Sequence, residues 1–503
     1  MNGENLRLIL GLKLRQFRHK KGYTLKELAT KTHLSISFLS EIEKGKKYPK
    51  PEKIMLLSKA LDISFDELVS LKVDEDLDTF TTILDSPFIK GFPFHLFDIE
   101  PTSLLDLVKD SPGKAGAFIR TFLEIAQNYN MQVEHFLLAA LRSYQIMHHN
   151  YFEDIEDAAL AFVREHNLKT EPPQDTQKLR SLLTEKYGYD LHETTFEHHR
   201  QLREFRSVWI DGKPQKLFIN ANLLPIQKAF NIVKEIAFCH LDLKERSKTS
   251  SWIQVESFEQ VLSNFKASYF AGAVLMYRDR LQEDLAGFFD LPRWNGQEFL
   301  NIMQKYDATP EMFLYRLSQL LPKLFGLHKM YYLRFYNRSG RDSYNLTKVL
   351  NMSPVRLPYG VGLSEHYCRR WLSIRALKQL VESQKNGGAL NIMIAAQRSK
   401  FLQNQDRFFN FALARPLVLT EGMNSSITLG LALDDKFKNT VKFWDDPAIS
   451  DIEVNETCER CTLFEAECQD RVVLSDSYRQ QKEHMGQVEH ALSEFISKVE
   501  GEA

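Results

Sequence analysis

Cys458-Glu459-Arg460-Cys461 sets two thiols at C-x-x-C spacing, and Cys468 follows after six intervening residues. Thiolates so placed can converge on one ion, and a fourth from a distant segment closes a tetrahedral site. Cys368, in SEHYCRRW, is the candidate fourth ligand. Four thiolates suit structural zinc or an iron–sulfur cluster. The alternative is four independent reduced cysteines, but the polar stretch EVNETCERCTLFEAEC gives the C-x-x-C no core to fill. The fifth cysteine, Cys239, lies in an apolar helical run and is expected in a core. A second group stands at the other end of the chain. Ser35, Ser37, Phe38, Ser40 and Glu41 are short or planar side chains able to approach base edges, and the cluster Lys44, Lys46, Lys47 and Lys50 follows at once.

The elements that must hold this second group are legible around it. Thr24 can N-cap a helix, with Glu27 three residues on completing a capping box. Leu25, Leu28 and Ala29 form that helix's buried stripe. His33-Leu34 makes a turn, Ser35 caps a second helix with Leu39 and Ile42 inward, and Gly45 ends it. Upstream, LGLKLRQFRHKKGYTL supplies a first helix with Leu10, Leu14 and Phe17 inward and Arg15, Arg18, Lys20 and Lys21 outward. Downstream, PEKIMLLSKALDISFDELVSL supplies two more, with Pro51 in a first turn, where its missing N–H costs nothing. This is a helix-turn-helix whose second helix can read a major groove while lysines clamp phosphates. Residues 6–71 resemble the five-helix Xre/Cro-type DNA-binding domain of phage and bacterial regulators. The resemblance implies a homodimer on a double-stranded DNA operator. The expected contacts are Arg15, Thr24, Ser35, Ser37, Phe38, Ser40, Glu41, Lys44, Lys46 and Lys47.

Charge distribution agrees with that placement. The whole chain is near neutral, with 65 Lys+Arg against 66 Asp+Glu. Residues 1–72 carry 15 basic against 8 acidic side chains, net +7, and the remainder carries 50 against 58, net −8. A basic head on an acidic body suits a protein that touches DNA at one end. The 503 residues suffice for two to four domains. No apolar run approaches the roughly 20 residues of a membrane span, and Met1–Gly11 lacks a signal-peptide pattern. A cytosolic protein with reduced thiols and no membrane partner is expected.

Residues 73–170 read as a helical connecting region. Within it His148-His149 and the acidic run Glu153, Asp154, Glu156 and Asp157 lack metal-ligand spacing and are expected on solvated helix faces. Residues 171–300 begin with a helix at LRSLLTEKYG. A β-hairpin follows, turning at Asp211-Gly212-Lys213-Pro214, then the long helix PIQKAFNIVKEIAFCHLDL and the small-residue helix FEQVLSNFKASYFAGAVLMYRDRL. This arrangement resembles the ImmA/IrrE-type metallopeptidase domain. In that family the long helix carries His-Glu-x-x-His, two imidazoles at i and i+4 that grip zinc beside a Glu that activates water. Here the matching positions read Lys234-Glu235-Ile236-Ala237-Phe238, so only the Glu remains, and His240 lies off the needed face. The expectation is a degenerate, zincin-like α+β domain without peptidase chemistry, with Glu235 and Lys234 making a local ion pair or lining a pocket.

Residues 301–503 begin with the amphipathic helix TPEMFLYRLSQLLPKLFG. Five strand-like runs follow: KMYYLRFYN, DSYNLTKVL, LNIMIAAQ, RFFNFALARPLVL and SSITLGLAL. An antiparallel-sheet, sensor-like domain with a Cys-rich tail and a terminal helix is expected. Arg334, Arg338, Arg341, Arg369, Arg370 and Arg415 leave open an anionic ligand or structural carboxylate pairs. Taken whole, the helix-turn-helix head, the degenerate middle, ALRSYQ, NYFEDIE, EHYCRRW, FWDDPAI and the C-x-x-C tail resemble the short-chain fatty acyl transcriptional regulators. That resemblance implies an acyl-CoA-like effector. The fold class expected is multidomain, mainly α with an α+β C-terminal part, in domains 1–72, 73–170, 171–300 and 301–503. The function expected is a sequence-specific transcriptional regulator, not an enzyme, that senses a metabolite or a metal or redox signal. The competing reading is an IrrE-like protease acting on a partner repressor.

Overall fold

A computed structural model of the chain describes residues 3–43, 45–69, 93–97, 133–196, 200–246, 257–357, 365–386, 392–403, 405–463 and 466–472, with scattered positions between 484 and 494. It divides into two compact units, residues 1–144 with 254–261, and residues 145–253 with 262–503. Much of the expected connecting region and most of the expected terminal helix lie outside the described residues.

The first unit opens with five helices: α1 Gly3–Lys20, α2 Leu25–Thr32, α3 Ile36–Glu43, α4 Pro51–Leu61 and α5 Phe65–Val69. Leu10, Leu14, Leu28, Leu39, Ile42, Ile54, Leu57, Leu61 and Leu68 form one core. The capping box is formed: Glu27 N donates to Thr24 Oγ1 at 3.2 Å, and Thr24 N donates to Glu27 Oε2 at 2.7 Å. His33 closes α2 and Asp62 closes α4, both in the left-handed region. Gly11 sits mid-helix because α1 and α3 touch backbone to backbone there; a Cβ would strike the Ile42 carbonyl. That contact offsets the roughly 1 kcal/mol a helical glycine costs.

Arg18 corrects the expectation of an outward basic face. It is buried, its Nε and Nη2 donating to Glu43 at 2.6 and 2.9 Å and its Nη1 to the Tyr23 carbonyl at 2.8 Å. Position 18 lies one helical turn beyond Leu14 and two beyond Leu10, on the buried stripe itself. The core there is closed by a charge pair instead of a leucine.

In the second unit, α6 Glu153–Glu165 carries the acidic run. Glu153, Asp154 and Asp157 are exposed as expected, but Glu156 is buried and takes both guanidinium nitrogens of Arg316, at 2.6 and 2.9 Å, and the Tyr269 hydroxyl at 2.8 Å. A small sheet follows, of β1 Asp190–Thr194, β2 Ser207–Ile210 and β3 Lys216–Asn220, in the order β1-β3-β2. β2 and β3 form the expected hairpin, and β1 pairs parallel with β3. The long helix α7 Pro225–His240 buries Ile232, Val233 and Ile236. After it, α8 Phe258–Leu275 buries most of its length.

Three helices, α9 Arg278–Phe289, α10 Gly296–Lys305 and α11 Pro310–Phe325, then lead to a six-stranded sheet. Its strands are β4 Met330–Arg338, β5 Tyr344–Asn351, β6 Met393–Phe401, β7 Arg407–Pro416, β8 Met423–Ala432 and β9 Asp451–Val454, in the order β5-β4-β8-β7-β6-β9. The five expected strands pair antiparallel, and β9 adds a parallel edge beside β6. Side chains alternate across this sheet as the pleat requires. Phe409, Phe411, Leu413, Ile427 and Leu429 pack with α9–α11, whereas Tyr331, Leu333, Phe335, Phe408 and Ala412 pack with α12 Leu372–Lys385. The chain is thus multidomain, helical at its N-terminal end and α+β in its C-terminal part.

Candidate nucleic-acid interface and the altered peptidase cleft

α3 is the second helix of the helix-turn-helix. Ser35 Oγ accepts from Phe38 N at 3.1 Å and caps it, while Leu39 and Ile42 anchor its inner face. Thr24, Ser35, Ser37, Lys46 and Lys47 are exposed, and Arg15, Ser40 and Glu41 are half-exposed. Lys44 lies outside the described residues. Phe38 leans on the core and carries the Lys53 ammonium 4.1 Å from its ring centre, a cation that residue typing alone did not single out. Lys47 Nζ lies 2.7 Å from Glu41, so two of the expected DNA contacts neutralise each other in this structure. That surface pair is solvent-exposed and weak, and a phosphate can displace the carboxylate.

In the second unit the metal-binding positions of the peptidase pattern hold something else. Phe238 is buried, and the guanidinium of Arg246 lies 4.6 Å from its ring and 3.6 Å from the ring of Trp209. Arg246 also bonds the Glu235 carboxylate directly and donates to Tyr189 Oη at 3.1 Å. The expected partner of Glu235 was Lys234; Arg246 takes the hydrogen bonds instead. A stacked, paired guanidinium therefore holds the Glu235 carboxylate. Burial raises the Glu235 carboxyl, against the pull of Arg246 and Lys234. Burial lowers the Lys234 ammonium to about 8. Cys239 corrects the core expectation: it is exposed, 3.6 Å from Tyr189 Oη, because α7 turns its apolar stripe the other way.

The four C-terminal cysteines are all buried. An isolated antiparallel bridge, Tyr367 to Thr457, holds the two distant segments together. Cys368 N donates to the Glu456 carbonyl at 3.3 Å and Cys458 N to the His366 carbonyl at 2.8 Å. Arg471 ties the tail down, donating to the Cys458 carbonyl at 3.0 Å. Cys368 is pushed up to about 11, first by burial and then by the nearness of Cys458 and Cys461. Among the described residues, no three or more His, Cys, Asp or Glu side chains are already arranged to grip a metal ion. The fold brings the cysteine segments together.

The arginines divide. Arg369 pairs with Asp342 at 3.1 Å, Arg415 with Glu311 at 2.8 Å, and Arg370 donates to carbonyls. Arg338 and Arg341 are exposed. Arg334 donates to Thr347 Oγ1 at 2.9 Å and, among the described residues, pairs with no carboxylate. Among the described residues, no helix is long and apolar enough to cross a membrane.

Comparison with known proteins matches residues 14–68 to the helix-turn-helix family and residues 185–318 to the IrrE N-terminal-like domain. The second match ends within α11. An uncharacterized HTH-type transcriptional regulator, YazB of Bacillus subtilis, is 42% identical over 60 residues, which are 12% of this chain and 87% of that protein. The HTH-type transcriptional regulator SinR of Bacillus licheniformis is 34% identical over 71 residues, 14% of this chain and 64% of that protein. Among solved structures, a transcriptional regulator of Mycobacterium tuberculosis is similar over 66% of this chain and 92% of its own, at 16% identity and a TM-score of 0.46.

Proposed function

The chain belongs to the helix-turn-helix family of HTH-type transcriptional regulators, and from that premise we propose that its body senses a metabolite and governs operator binding by the head. It is a DNA-binding regulator with an IrrE-like domain whose chemistry has been replaced. The observation that carries the second half is the Arg246 guanidinium, stacked on Phe238 and Trp209 and bonded to Glu235. A phenyl ring cannot ligate zinc, and a carboxylate held by arginine is a poor general base. The IrrE-like protease reading requires both positions to do what these residues prevent.

In this reading a cytosolic homodimer sets two copies of α3 in successive major grooves about 34 Å apart on a pseudo-palindromic operator. Ser35, Ser37, Phe38, Ser40 and Glu41 face bases; Arg15, Thr24, Lys44, Lys46 and Lys47 face the phosphates. An acyl-CoA-like effector, the ligand implied by resemblance, shifts the dimer between states of different DNA affinity through its own differential binding. The four buried thiols fit a thiophilic ion, structural zinc or an iron–sulfur cluster, held by Cys368, Cys458, Cys461 and Cys468. Such a group would fasten the tail to the 366–368 segment; a cluster would add redox sensitivity.

The test divides base reading from phosphate clamping. Ser37→Ala should relax sequence preference, whereas Lys46→Ala should weaken all sequences alike and lower the salt slope by about one. Unchanged operator binding in both variants would overturn the assignment of α3.

A further inference from the structure

Near its C-terminal end the chain carries a seven-residue repeat. Tyr478, Gln481, Met485, Val488, Leu492, Phe495 and Val499 succeed one another at alternating steps of three and four residues. All but Gln481 are apolar, whereas the intervening positions are polar, charged or small apart from Ile496. A period of 3.5 kept over three heptads marks a helix that supercoils with another helix. A helix laid on a globular core keeps to 3.6 and shows a wider apolar face.

The described residues of this stretch agree with the repeat. His484, Gln487, Val488, His490, Ala491, Leu492 and Glu494 are helical, and every one is exposed. Val488 and Leu492, the two members of the seam among them, are 46% and 55% exposed. His490 Nδ1 lies 3.6 Å from Glu494 Oε1, one turn on and on the side away from the seam. Most of a protein helix's stability comes from packing its apolar face, and Gly486 lowers the helix propensity here further. Large apolar side chains left in water at i and i+4 therefore call for a matching stripe.

We infer that this helix joins two copies of the chain, which pair through the seam as an antiparallel coiled coil. A second copy fits because a heptad seam is complementary to itself, and two-fold pairing lets one surface serve both partners. Charge sets the direction. Lys482 and Glu489 occupy the same heptad position beside the seam. With position 485 of one copy against 488 of the other, antiparallel pairing brings each Lys482 level with Glu489 of the other copy. Two opposite-charge pairs result, of the kind that fixes partner and orientation. A parallel pair would set Lys482 beside Ser477 instead.

The inference rests on the homodimer reading and deepens it by naming the surface that joins the copies. The experiment is sedimentation equilibrium of the full chain, for the wild type, V488D/L492D, K482E and K482E/E489K, with thermal unfolding of each. Val488 and Leu492 are exposed within one chain, so aspartate at both should leave the unfolding temperature unchanged. The expected result is a wild-type dimer whose dissociation constant rises roughly a hundredfold or more in V488D/L492D. It should rise roughly threefold in K482E and return in K482E/E489K. A V488D/L492D dimer as tight as the wild type overturns the interface and leaves the homodimer to another surface. A lower unfolding temperature with the dimer intact assigns the seam to the chain's own body and also overturns it. A K482E loss that E489K does not restore overturns the antiparallel pairing. A wild-type monomer at micromolar concentration removes the homodimer reading and this interface together.

Discussion

Arg18→Met should cripple the DNA-binding head through its fold and not through its DNA contacts. Arg18 and Glu43 are both nearly enclosed, with side chains 8% and 6% exposed, and they join α1 to the last turn of α3. Removing the guanidinium leaves Glu43 buried and unpaired, and also deprives the Tyr23 carbonyl of its donor. Breaking one side of such a pair costs about 3–5 kcal/mol. A head of this size has about 3–10 kcal/mol in all, at the usual 0.05–0.15 kcal/mol per residue. One substitution therefore removes between a third and all of the head's stability. Arg18→Met with Glu43→Leu removes both charges and should return most of it, since an apolar pair of similar volume often matches or exceeds a buried ion pair. Hydrogen exchange of the amides in residues 3–43, read by mass spectrometry on the full chain, follows the head without interference from the body. If Arg18→Met changes the opening free energy of α1 and α3 by less than about 1 kcal/mol, the pair is not what closes this core.

Other outcomes follow from the same geometry. Gly11→Ala should destabilise the head despite alanine's higher helix propensity, because its methyl meets the Ile42 carbonyl; a rise in the head's protection would contradict the contact. Lys234→Met should stabilise the body at pH 7, with the gain shrinking as pH rises through about 8 toward 10. The folded amine is depressed to about 8, so between that value and its ordinary 10.5 the unfolded chain holds more protons and wild-type stability climbs with pH; urea titrations of both proteins at pH 7 and pH 10 check the sign. Arg316→Met, which strands Glu156 away from water, should lower body stability by about 3–5 kcal/mol, and a loss under 1 kcal/mol would count against the pair. Elemental analysis and an absorption spectrum of anaerobically purified protein should show one zinc or an iron–sulfur chromophore, lost when Cys458 and Cys461 are both replaced by serine; metal-free wild-type protein would remove the thiolate site.

What could be read ahead of the structure was local. The five helices of the head announce themselves in caps and stripes a few residues apart, and the hairpin at Asp211-Gly212-Lys213-Pro214 in its turn residues. The two parallel pairings, β1 on β3 and β9 on β6, were missed because parallel strands meet through long connections and leave no turn signature. Arg18 and Glu156 were assigned to solvent by residue type. Each is buried by a partner far along the chain, Glu43 and Arg316, and such a partner has no signal in local periodicity. The replaced peptidase motif was visible at Lys234 and Phe238, but Arg246 was not, since it reaches Glu235 from a loop beyond the end of α7.

The most direct test of the account is selection of bound duplexes from a random DNA pool by the purified full chain, followed by footprinting of the enriched sequence. The account predicts a pseudo-palindrome whose half-sites are centred about 10 bp apart, protected on one face of the helix. Recovery of no sequence preference at any ionic strength, by protein whose head is folded, would contradict it.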